Sequence, residues 1–251
     1  MKNRKIIFAS VSIAMLLAII GTSAATPVRT PGVNNGDSAT YGNVSYSYYS
    51  NPSSPPPPEW EALGKTDRFV GTVQNIAGTN VTVSSDLHYS NGTDEPQSGW
   101  VDIDTGDNVN LGFLLISANL NAGDPIYSGS TYSTYVINET VSRTYSSGAR
   151  QTNHLNETMS FSYPGIASVY LSMNFYWDRT TGILTELSIV SNQTMSYPTL
   201  NETDLSISFE LTQTNRWTVP EFGGLPQILL LLSSITVVAV AQRRLRRTRK
   251  P

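Results

Sequence analysis

The chain has 251 residues, a net charge of −3 and no cysteine, which excludes disulfides and thiolate metal sites. The small net charge hides a partition: residues 26–221 hold all nineteen Asp and Glu against seven Lys and Arg, a local net of −12, and both ends are basic. So acidic a body repels nucleic-acid phosphates, which argues against nucleic acid as a partner.

The N-terminus places Lys2, Arg4 and Lys5 before an apolar run from Ile6 to Ile20 and the small residues Ser23, Ala24 and Ala25. This is the pattern of a secretory signal peptide over 1–25, a short signal helix whose alternative is an uncleaved anchor. The next segment, 26–218, is rich in Ser, Thr, Asn, Gly and Tyr and poor in helix formers, a composition that favours strands and turns.

Strands are expected over 41–49 and, as a hairpin turning at Gly78 to Asn80, within 69–89. Between them "NPSSPPPPEWEALGK", 51–65, is a Pro-rich connector; Pro58 suits the first position of one helical turn in "PEWEALG". Further strands are expected over 100–104, 111–118, 132–137, 141–145 and 151–161. "SVYLSMNFYW" places Val169, Leu171, Met173, Phe175 and Trp177 at alternate positions, and "DRTTG" then turns the chain, so 168–191 reads as a hairpin. In "DLSISFELT" Leu205, Ile207, Phe209 and Leu211 alternate with polar residues in the same way. The fold class is all-β: about ten strands in an antiparallel sandwich or a strongly curved open sheet. "GDSATY" followed by "WVDIDTG" and "GDPIY" followed by "WDRTTG" suggest an internal duplication, with chance in a Gly/Thr-rich chain as the alternative.

The last segment, 219–251, combines a charge-free stretch with six cations. Residues 228–241 make a helix of roughly 21 Å, short for about 30 Å of hydrocarbon. Extended from 225 to 241 it is a transmembrane-helix candidate, and the cations of 242–251 place the tail on the cytoplasmic side and the acidic body outside. Val219-Pro220-Glu221-Phe222, a short apolar helix and an Arg cluster, in that order, resemble the PEF-type C-terminal sorting signals of archaeal surface proteins, which membrane-embedded archaeosortases process. The resemblance implies an exported chain whose partners are the membrane and a sorting transpeptidase, with Pro220, Glu221 and Phe222 as the recognised residues. A plain single-pass anchor is the alternative. The "GD…Y…W…TG" order of the body resembles secreted β-rich domains that accompany the same signal in archaea, and implies no activity.

Seven Asn-x-Ser/Thr sequons, at Asn43, Asn80, Asn91, Asn138, Asn156, Asn192 and Asn201, all lie in the expected exterior part; those in strands need an outward side chain to be used. His88 and His154 are the only histidines; neither has a nearby His partner in sequence, and without cysteine they make a poor zinc site. No Gly-x-Ser-x-Gly elbow is present to support a surface hydrolase. Asp102, Asp104, Asp107 and Asn108 are rich enough in oxygen for Ca²⁺, yet lack the EF-hand glycine and closing Glu, and a hairpin tip is the simpler reading. No catalytic residue, metal or cofactor is assigned.

The expected function is therefore a membrane-anchored glycoprotein on the extracellular face. Its role there is binding or structural, with envelope proteins or glycans as partners. The alternative is a tethered carrier of a lipid or other hydrophobic ligand, lined by Val169, Leu171, Met173, Phe175, Leu187, Ile189, Ile207 and Phe209. That reading requires an open apolar groove of several hundred Å³.

Overall fold

A computed structural model describes residues 28–56, 58–109, 113–196 and 200–217. The signal segment, the sorting signal Pro220-Glu221-Phe222 and the transmembrane-helix candidate lie outside these residues. Among the described residues, no helix is long and apolar enough to cross a membrane.

Nine strands form one antiparallel sheet: β1 (Ser38–Asn51), β2 (Thr66–Ala77), β3 (Asn80–Tyr89), β4 (Asp94–Asp102), β5 (Glu139–Tyr145), β6 (Gly148–Tyr163), β7 (Ala167–Asp178), β8 (Leu184–Met195) and β9 (Asn201–Thr214). Their spatial order is β4-β3-β2-β1-β9-β8-β7-β6-β5, so two meanders meet where the first strand pairs with the last. Of the two expected architectures this is the open sheet; the strands are not divided between two packed sheets. One helix, α1 (Pro58–Gly64), begins at the proline that suits a first helical position. Its Gly64 lies against Tyr46, and a Cβ there would come within 2.6 Å of the ring.

Period-2 alternation sorts the side chains as the sequence requires. Across one face run Phe209, Leu187, Phe175 and Leu155 as successive cross-strand neighbours, with Tyr46, Ile207, Ile189 and Met173 in the adjoining row. This face is covered near the start of β1 and the end of β9 by residues 103–138. They contribute Ile103, Leu115, Ile116, Leu120, Ile126, Tyr127 and Ile137, all at most 4 % exposed. The strands expected over 111–118 and 132–137 are therefore corrected. Apart from isolated bridges, Leu115 to Ile183 and Pro125 to Val136, the described part of these segments is irregular chain packed on the sheet. Its backbone groups are satisfied by single hydrogen bonds to distant segments instead of a ladder: Ile116 N–H donates to Gly182 O, Ala118 N–H to Thr30 O and Ile137 N–H to Asp124 O. Pro125, with no N–H, and the Gly-Ser run after Tyr127 interrupt any alternation.

The repeated Asp-x-x-Thr-Gly motif is one local structure built twice. Asp178 Oδ1 accepts the Thr180 and Thr181 N–H groups, and Gly182 turns at φ +73° with its N–H on Asp178 O. Asp102 Oδ1 likewise accepts the Asp104 and Thr105 N–H groups, and Gly106 turns at φ +80° with its N–H on Asp102 O. Only glycine fits the first turn, because a Cβ on Gly182 would lie 2.0 Å from Ile116 O. The two stretches thus share one turn chemistry.

The opposite face is polar. Near β5 the sheet rolls toward it: the Tyr145 hydroxyl on β5 donates to Glu186 Oε1 (2.8 Å) and lies 2.9 Å from Thr185 Oγ1 on β8, although two strands lie between. Three strand spacings in a flat sheet are about 14 Å, beyond the reach of a tyrosine. Trp217 closes this roll against Tyr145, with ring centroids 5.2 Å apart. Both described chain ends therefore leave at the pole of the sheet opposite the β6–β7 and β8–β9 turns.

Two outcomes are expected. Asp178→Ala, which strands the buried Thr181 N–H and hydroxyl, should cost about 2–3 kcal/mol in denaturant unfolding, and Asp102→Ala, at a more open turn, about half as much. Burial raises the phenol pKa of Tyr41, Tyr127 and Tyr145 above the ordinary value of about 10. The unfolded chain then loses these protons first, so stability is intact below pH 10 and falls above it, by about 4 kcal/mol per pH unit if all three phenols stay protonated in the fold. Tyrosinate absorbance of these rings should rise together with loss of the far-UV signal of the sheet; ionisation without unfolding would contradict this.

Candidate functional site

The greatest convergence of polar side chains lies on the polar face, where register aligns Glu139, His154, Tyr176, Glu186 and Glu210 on five adjacent strands. The next strand, β1, carries a bulge between Gly42 and Ser45, and Asn43 adopts φ +51° there. Between the rolled β5 end and this bulge lies an open depression of about 280 Å³, lined by Asn43, Tyr176, Glu186, Ser188, Ser208 and Glu210.

Its electrostatics follow from that register. Glu186 and Glu210 are direct cross-strand neighbours, a like-charge contact that destabilises a bare sheet. Arg143 offsets it by reaching from β5 to grip Glu186 through Nε and Nη2, both at 2.6 Å. Hydrogen bonding to Glu186 raises the Arg143 pKa further, so this cation is permanent. On its way the guanidinium lies 4.3 Å over the Tyr176 ring, whose other face stacks on His154 at 4.1 Å. Glu210 accepts from Asn43 Nδ2. The depression therefore presents carboxylate and hydroxyl acceptors beside an aromatic ring occupied on both faces, an arrangement suited to hydrogen-bonding polar groups rather than stacking a planar ligand.

His154 Nδ1 contacts Glu139 at 3.1 Å and its Nε2 contacts Asn174 Oδ1 at 3.2 Å. His88 contacts Asp94 at 2.6 Å, six strand positions away and about 29 Å along the sheet. Among the described residues, neither has a serine or threonine hydroxyl as a hydrogen-bond partner. In the 102–108 loop Asp102 is committed to turn N–H groups and Asp104 to the Ser128 hydroxyl at 2.7 Å. Among the described residues no three His, Asp or Glu side chains converge on one point.

All eight residues expected to line a hydrophobic groove share the covered face, as the alternation requires. Toward the β1–β4 end of the same face, two apolar cavities against Leu114 and Leu115 measure about 30 and 20 Å³, room for about one water each, and none of these eight residues lines either. Of the eight, Phe175, Leu187 and Ile207 are buried, whereas Val169, Leu171, Met173, Ile189 and Phe209 are half-buried. All seven sequon asparagines are exposed. Asn43, Asn156 and Asn192 donate through Nδ2 to Glu210, Asn174 and Asp204, whereas Asn91 uses only its Oδ1, on Thr93. The polar row itself was invisible in sequence, since it depends on the pairing of strands tens of residues apart.

Removing Arg143 as Arg143→Met should cost about 1–3 kcal/mol, as should Glu186→Gln. The double variant should cost less than their sum by at least about 1 kcal/mol, since the two side chains act on each other; additivity in a denaturant-monitored cycle would contradict the pairing. Compared with known proteins, the chain matches no protein-family model, and no curated relative matches it.

Proposed function

We propose that the chain is an exported, membrane-anchored glycoprotein of the cell surface, with a binding or structural role in the envelope. The observation that carries this reading is the partition of the molecule. A sheet with a polar face and seven exposed sequon asparagines is flanked by basic, apolar ends that lie outside the described residues. Asn43, Asn80, Asn156 and Asn192 fall on the polar face or its bulge, where glycans would meet solvent without disturbing the core. The acceptor-lined depression beside Glu186 and Glu210 offers this surface a place for a hydroxyl-rich or cationic partner. The order of Pro220-Glu221-Phe222, apolar helix and Arg cluster supports an archaeal sorting signal and a sorting transpeptidase as partner.

Intact mass spectrometry of the protein from its native membrane tests the reading. Loss of residues 1–25 and one or more glycan increments are expected, with Asn91→Gln removing an increment because its Nδ2 makes no competing bond. An unprocessed, unglycosylated polypeptide recovered from the cytosol would refute it.

A further inference from the structure

Strand β6 is sixteen residues long, but β5 pairs only with its first part, ending at Glu139 opposite His154. From Leu155 to Tyr163 the outer edge of β6 has no strand beside it among the described residues. Asn138 caps the start of this stretch by donating its N–H to His154 O and accepting the Asn156 N–H on its side chain. Because the His154 carbonyl points outward, alternation turns the backbone groups of Thr158, Ser160 and Ser162 outward too, and no described residue pairs with them. Met159, Phe161 and Tyr163 stand on the covered face beyond the reach of residues 103–138, at 55 %, 52 % and 55 % exposure.

Natural sheets guard such edges with charge, proline or bulges. The opposite edge of this sheet does so, with Asp94, Glu95 and Pro96 at the start of β4. The β6 edge has no such guard: Glu157 is its only charge, and it has neither proline nor register shift up to Tyr163. An edge left open in a chain that guards its other edge indicates a strand that adds there.

We propose that the occupant is a second copy of this chain, joined edge to edge and antiparallel through β6 about a two-fold axis at Ser160. The sequence is self-complementary in that register. Ser160 meets Ser160, and Thr158 meets Ser162, so every outward backbone group of the three residues finds a partner. On the covered face Met159 meets Phe161 across the axis, and Glu157 faces Tyr163, so two bodies of the same acidic charge meet with no carboxylates opposed. Pro164 ends the pairing, since it has no N–H to donate.

The absence of cysteine makes a direct test possible. Full-length protein in mild detergent carrying Ser160→Cys should form a disulfide-linked dimer on oxidation. Antiparallel partners in a hydrogen-bonded pair have Cα atoms about 5.5 Å apart, within disulfide range. Ser98→Cys, on the guarded edge, is the control for random collision and should give at least tenfold less. Adding Phe161→Lys to Ser160→Cys should abolish the cross-link, and its melting temperature should be unchanged because the Phe161 side chain is already half exposed. Equal cross-linking at the two edges, cross-linking of Ser160→Cys to a different protein, or a dimer that survives Phe161→Lys would overturn the proposal.

Discussion

The sheet depends on one long-range pairing. β1 and β9 run side by side from Ala39 opposite Thr214 to Asn51 opposite Glu202, and every other strand is joined to this pair by a short connection, by the connector that carries α1, or by the 103–138 layer. Bringing residues some 170 positions apart into register costs about 4–5 kcal/mol of chain entropy, which no disulfide reduces here. Burial at the seam offsets it. Tyr41, Ile207 and Leu211 are at most 2 % exposed, and Tyr41 stacks on Phe69 at 4.4 Å while Phe209 meets both rings edge-on. Until residue 214 is available, each meander has an extra open edge, so the sheet completes late and its topology favours slow folding.

The two faces divide the physical work. One face provides the cohesion, with the described part of residues 103–138 replacing the second sheet of a sandwich, and its irregular backbone is tolerated because local turns and single bonds to distant segments, not a ladder, satisfy it. The other face is hydrophilic except where β5 rolls over it and buries Tyr145, Thr152 and Thr185. That roll brings Arg143 to Glu186, so the polar depression follows from sheet curvature as much as from residue identity.

Most strands were legible in the sequence because each carries its own alternation: Val169 to Trp177 and Leu205 to Leu211 declare their faces without reference to neighbours. The segments 111–118 and 132–137 misled for the same reason. Apolar residues such as Leu115, Ile116 and Ile137 signal burial, but burial beneath a sheet does not require a place within it. The row of His154, Tyr176, Glu186 and Glu210 and the bare stretch of β6 could not be read at all. The first needs inter-strand register, and the second needs the difference in length between β5 and β6.

Both described termini emerge at one pole, and the β6–β7 turn stands at the other, separated by the span of fourteen-residue β9, about 47 Å. A tether following Trp217 would hold that turn several Debye lengths above a lipid surface, where charge on the bilayer no longer acts on it. In the proposed pair, rotation about an axis normal to the sheet places the two Trp217 ends at opposite poles. If the proposed anchor and the proposed pairing both hold, upright molecules in one bilayer are poorly placed to pair, and molecules in facing bilayers are better placed.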